Sequence, residues 1–191
     1  MRALDWKGVD ITKESQGASR LADTIQWSVI QRLRSSGTHY DIIFDGDGSG
    51  EVADVVALRR QGRTLDVELY HCKYSSSASP GCRVDDLYPV CGQAMKSVRW
   101  ADPRSRFLQQ MRRQEENRRA QGGTRFEIGD RALLDDLLTN RREFVTRFHV
   151  TVVQPGYSKS RANDAHMPVI GAVRAYLMST YRIGFEFWAN L

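Results

Sequence analysis

Paired cysteines are missing from this chain. Cys72, Cys82 and Cys91 are its three cysteines, an odd count with no Cys-x-x-Cys knuckle, which excludes a disulfide framework and fits a reducing cytoplasm. A zinc set drawn from His71 and these cysteines fails on geometry, because His71 and Cys72 are neighbours in a strand pattern and point to opposite faces. Cys72 is also a poor nucleophile, since an apolar strand raises a thiol's pKa. Long apolar runs are missing too. No stretch approaches the roughly 18 apolar residues of a membrane span, and MRALDWKGVD lacks the apolar core of a signal peptide. The expectation is a soluble cytoplasmic protein with no membrane partner. Linkers, internal repeats and low-complexity segments are absent as well, so residues 1–191 read as one domain.

What is present is basic charge and a strong strand pattern. The formal net charge is +5, with arginines concentrated between Arg99 and Arg147, which suits a polyanionic partner. GEVADVVALRR (Gly50 to Arg60) and LDVELYHCKYS (Leu65 to Ser75) are rich in strand formers, and Gln61-Gly62-Arg63 between them reads as a tight turn. They predict an antiparallel hairpin. Period-two alternation puts Val52, Asp54, Val56 and Leu58 on one face of the first strand, and Val67, Leu69, His71 and Lys73 on one face of the second. Ionisable groups on an apolar face persist because they pair, bind a metal or do chemistry. A buried salt bridge between Asp54 and Lys73 is the structural alternative.

Around the hairpin, Ser19 to Ser35 predicts a helix with Ser19 as N-cap and a stripe of Leu21, Ile25, Val29, Ile30 and Leu33. Tyr40 to Phe44 predicts a strand, and Asp85 to Trp100 a helix limited or kinked by Pro89. Asp102-Pro103 reads as the start of a helix to about Gln121. That helix is polar beyond Met111, which predicts a solvated projection or a binding face, with Arg112, Arg113, Arg118 and Arg119 as candidate phosphate contacts. Asp130 to Arg142 predicts a helix with Leu133, Leu134, Leu137 and Leu138 buried. A strand from Phe144 to Val153 stopped by Gln154-Pro155-Gly156, a helix from His166 to Tyr181 and a strand from Gly184 to Ala189 complete the chain. The order predicts an α/β fold, a mixed sheet flanked by helices, with a polar helical insertion at about 102–143.

Asp45-Gly46-Asp47-Gly48-Ser49-Gly50 mimics the first half of a calcium loop, but Val56 stands where the loop's last carboxylate is required. A polar turn feeding Asp54 into its strand is the simpler reading, from which Asp45 or Asp47 can still approach a metal.

The order helix, three strands, helix, strand, with an acid at the second strand (GEVADVVAL) and a lysine ending the third (LYHCKYS), resembles the PD-(D/E)xK superfamily, the restriction-endonuclease-like fold. The likeness runs from Ser19 to about Val153, and Cys72-Lys73-Tyr74 is closest in style to Mrr-like and prokaryotic defence-associated nuclease domains. It implies a metal-dependent DNA endonuclease of restriction or anti-phage defence, using Mg²⁺ or Mn²⁺. Asp54, His71 and the Cys72 carbonyl would hold the metal, and Lys73 would position the attacking water. Gln93 would line the site from the following helix, with Lys96 one turn on and Arg99 beside it as candidate nucleic-acid contacts. Glu14 or Gln16 is a further candidate for the metal shell. His71 stands where the family carries Glu, Asp or Gln. Glu68, the nearest carboxylate, points to the opposite face. A helicase or other defence subunit, and a second copy of the chain, are partners the likeness implies. The alternative is a non-catalytic nucleic-acid-binding or assembly module that retains the fold.

Overall fold

The computed structural model describes residues 1–48, 50–102, 106–162 and 166–191. Ser49 of the polar turn and Pro103 of the expected helix start lie outside the described residues. In chain order the elements are β1 (Arg2–Leu4), α1 (Ile25–Arg34), β2 (Ile42–Asp45), β3 (Val55–Gln61), β4 (Thr64–Cys72), α2 (Val84–Lys96), α3 (Val98–Ala101), α4 (Phe107–Arg119), β5 (Phe126–Ile128), α5 (Arg131–Thr139), β6 (Val145–Ser158), α6 (Met167–Ala175) and β7 (Gly184–Asn190). The strands form one seven-stranded mixed sheet in the order β1-β7-β6-β4-β3-β2-β5. β3 runs antiparallel to both of its neighbours, β2 and β4, whereas β4, β6 and β7 run parallel.

The hairpin forms, with Val55 opposite Tyr70 and Leu58 opposite Val67, but β3 begins only at Val55 and β4 ends at Cys72, so Val52, Asp54 and Lys73 lie outside the paired strands. Gly62, at φ 56°, turns the chain between its strands. One face of the sheet carries Val56, Leu58, Val67 and Leu69 against Leu87, Val90 and Ala94 of α2. The other carries Val55, Ala57, Tyr70 and Cys72 against Ile25, Val29, Ile30 and Leu33 of α1. Each of these fully buried aliphatic side chains stabilises the fold by roughly 1.5–3 kcal/mol. The sheet is thus helix-covered on both faces, and Asp54 and His71 lie towards the α2 side.

Several boundaries differ from the periodicity, each for a local reason. α1 begins at Ile25, not after Ser19: Arg20 takes a left-handed φ of 54° that ends any helix there, and Thr24 is the N-cap, accepting from Trp27 N. Leu21 is consequently exposed. Gln154-Pro155-Gly156 does not stop β6, because Gln154 folds back to accept from Gly156 N and donate to Asp86 O, and the strand resumes through Tyr157. Leu133, in the first turn of α5, is exposed while Leu134 and Leu137 are buried. α4 is not a free projection. It buries Phe107, Leu108 and Met111 together with Gln114 and Glu115, and Glu115 accepts from Arg119, Thr124 and Arg125 N. The segment after α4 adds β5 to the sheet edge beside β2.

Candidate metal centre

β2 ends in Asp45, and the chain must reverse at once to enter β3. Gly46 makes the reversal possible: a Cβ there would stand 2.2 Å from Ala53 O. The reversal is closed by Gly46 N donating to Asp54 O at 3.0 Å and Glu51 N to Gly48 O at 3.1 Å. It brings Asp47, Glu51 and Asp54 together, with one carboxylate oxygen of each within 4.8 Å of the others. Asp45 is turned inward and serves as an anchor, accepting from Gln26 Nε2 at 2.8 Å and Gln16 Nε2 at 3.2 Å. Of the turn's two aspartates, therefore, Asp47 joins the cluster and Asp45 holds the backbone beneath it.

The turn is gripped from outside through its own carbonyls. Gln110 Nε2 donates to Gly50 O at 2.8 Å and Gln114 Nε2 to Gly46 O at 3.0 Å. Arg125 Nη1 donates to Asp45 O at 3.0 Å and Asp47 O at 2.7 Å, and Arg99 Nη2 to Glu51 O at 3.3 Å. Ser15 Oγ donates to Asp47 Oδ2 at 2.5 Å.

Asp54 is 2% exposed and its Oδ2 accepts from Cys72 N at 2.9 Å. Burial, then the charges of Glu51, Glu14 and Asp47, pushes its carboxyl well above the usual carboxylate range, against the Cys72 hydrogen bond. Glu51 is raised mainly by burial. Two neighbouring carboxyls that both resist ionising mark a cluster short of positive charge. His71, 4% exposed, puts Nε2 2.6 Å from Ser97 Oγ and Nδ1 3.9 Å from Asp54 Oδ2. Nδ1 is buried with no hydrogen-bond partner. Burial, with Arg99's charge adding, lowers its pKa to about 4, so the Asp54 contact is made by a neutral imidazole and is no ion pair.

No family model, curated protein or solved structure matches the chain. The chemistry of the centre must therefore be read from its donors. Three carboxylates converging on one point can hold a metal ion, and hard divalent cations take such oxygen sets. Beside the cluster, two buried atoms lack partners, His71 Nδ1 and Gln93 Oε1, both from residues lining a cavity of about 360 Å³ with Glu51, Lys96, Ser97 and Arg99.

His71, Gln93, Lys96 and Arg99 line one cavity, and Asp54 lies beside it in contact with His71. Other expectations change. His71 reaches the cluster through Asp54 and lies outside the group of three carboxylates. Cys72 meets Asp54 through its N–H, and its thiol is buried on the α1 face, its pKa raised by burial. Lys73 Nζ is held by Glu14 Oε2 at 2.9 Å and lies 4.3 Å from the Tyr74 ring centroid. Gln16 supports Asp45 and Glu127 instead of the cluster. Glu68 keeps the opposite face that its parity assigns, where it accepts from Tyr40 and Tyr70. Arg112 is tied to Glu116 and Asp135, and Arg119 to Glu115, while Arg113 and Arg118 have no ion-pair partner among the described residues. Glu51 and Ser97 are the residues the alternation misses. The available signal for Glu51 was four carboxylates within residues 45–54.

Proposed function

We propose that this protein is a metal-dependent endonuclease that hydrolyses phosphodiester bonds of DNA on a restriction-endonuclease-like scaffold, acting in the cytoplasm in restriction or anti-phage defence. The observation that carries the reading is the convergence of Asp47, Glu51 and Asp54 beside His71 at the end of β4. Glu51, from the turn, supplies the second carboxylate that the His71 position lacks. A Mg²⁺ or Mn²⁺ ion held there would neutralise phosphate charge and lower the pKa of water. Lys73, fixed by Glu14, adds positive charge beside Glu51, and Lys96 and Arg99 line the same cavity where a phosphate backbone would pass. Among the described residues no helix is long and apolar enough to cross a membrane. A helicase or other defence subunit and a second copy of the chain are the protein partners that a two-strand cut invites.

A non-catalytic DNA-binding module is the second reading, and Lys73's engagement with Glu14 favours it. Incubation of purified protein with supercoiled and linear DNA in Mg²⁺, Mn²⁺ or EDTA separates the two. Metal-dependent shortening, abolished in Glu51→Gln and Asp54→Ala, is expected. Retarded but intact DNA in every condition would leave the binding module.

A further inference from the structure

Buried polar atoms without partners cost free energy, so a native fold that keeps two of them at one cavity calls for a ligand that satisfies both. His71 Nδ1 and Gln93 Oε1 are such atoms. Both residues line the cavity beside Glu51. Ser97 lies against both residues: its Oγ is 2.6 Å from His71 Nε2, and its hydroxyl reaches the main-chain carbonyl of Gln93 at 3.5 Å. With that hydroxyl donated to Gln93 O, Nε2 carries the proton it gives to Ser97, and Nδ1 presents a lone pair. Gln93 Oε1 is also an acceptor. The pair is thus complementary to a molecule with two O–H donors, and a bare cation is better served by the three carboxylates nearby. Lys73, the other group available to orient a water, has its ammonium committed to Glu14.

We infer that His71 Nδ1 and Gln93 Oε1 together accept the two protons of the attacking water, and that they, not Lys73, orient the nucleophile. Ser97 is the positioning residue that holds the His71 tautomer. The inference rests on the hydrolytic reading above. In the reaction the water oxygen forms the new bond to phosphorus while the bond from phosphorus to the leaving ribose oxygen breaks. That oxygen departs with the electron pair and takes a proton from solvent, and the water sheds its proton to solvent.

The test separates holding the ion from orienting the water. Apo protein titrated with Mn²⁺, followed by loss of the aqueous Mn²⁺ electron-spin signal, should bind equally well in wild type, His71→Ala and Gln93→Leu, and fail in Glu51→Gln. Single-turnover cleavage should fall by about 10²-fold in His71→Ala, with Gln93→Leu also slowed and the double variant little slower than His71→Ala alone, because both atoms serve one water. Ser97→Ala should slow cleavage and Ser97→Thr restore it. Loss of Mn²⁺ affinity in His71→Ala, or a larger cleavage loss in Lys73→Ala than in His71→Ala, would overturn the inference. A high-resolution structure of the Mg²⁺-loaded protein reads it without turnover: one water within about 3.2 Å of both atoms is expected, and its absence would refute the inference even if the protein proved not to cut DNA.

Discussion

Asp54 and His71 oppose each other as titrating groups, and the opposition is measurable. In metal-free protein His71's pKa lies near 4, below its ordinary 6.5. As pH falls through that window the unfolded chain binds a proton that the native state refuses. Its contribution to stability, up to roughly 3 kcal/mol, is present above 6.5 and lost towards 4. Asp54 runs the other way. Its native pKa is raised by burial above the ordinary 3.8, so the native state keeps a proton that the unfolded chain sheds, and stability is lost as pH rises through the native value. Denaturant unfolding in EDTA across this range should show His71→Gln gaining on wild type as pH falls and Asp54→Asn gaining as pH rises. Parallel profiles for the two variants would mean that neither side chain is buried as described.

At the scale of elements, α4 holds the acidic turn. Gln110 and Gln114 both donate to its carbonyls, and Gln114 is 3% exposed. Gln110→Ala/Gln114→Ala should cost about 1–3 kcal/mol in stability, chiefly from the buried Gly46 carbonyl left unpaired, and should weaken Mn²⁺ binding with it. Arg112→Gln, on an exposed pair, should change stability by less than about 1 kcal/mol and leave metal binding alone. Equal effects from the two sites would show that α4 does not support the turn. This arrangement also marks where sequence reading stops. The hairpin, its register and the shared face of Asp54 and His71 were legible because period-two alternation and Gly62 are local signals. Gln114 was not, since its burial depends on Gly46, 68 residues away. Glu51 sits in a turn, where no periodicity assigns a face, and β1 and β5, at three residues each, are too short to alternate visibly.

For the molecule as a whole, the centre ties distant parts of the chain to one point. The carboxylates come from the β2–β3 turn, His71 from the end of β4 and Gln93 from α2. Ser15 on one side and Arg125 on the other brace the turn. An ion held there senses the packing of both helical layers, so its binding should be linked to global unfolding. A ligand that binds only the native state at 100 times its Kd stabilises by about 2.7 kcal/mol. For a chain of 150–250 residues each kcal/mol shifts Tm by roughly 2–4 °C, giving an expected rise of about 5–10 °C. Scanning calorimetry of EDTA-stripped protein with and without saturating Mn²⁺ measures this. Glu51→Gln relieves repulsion within the cluster, so its metal-free Tm should exceed that of wild type while its Mn²⁺-induced rise disappears. A Tm unmoved by Mn²⁺ in wild type would show that the three carboxylates do not act as one site, and the nuclease reading would fall with it.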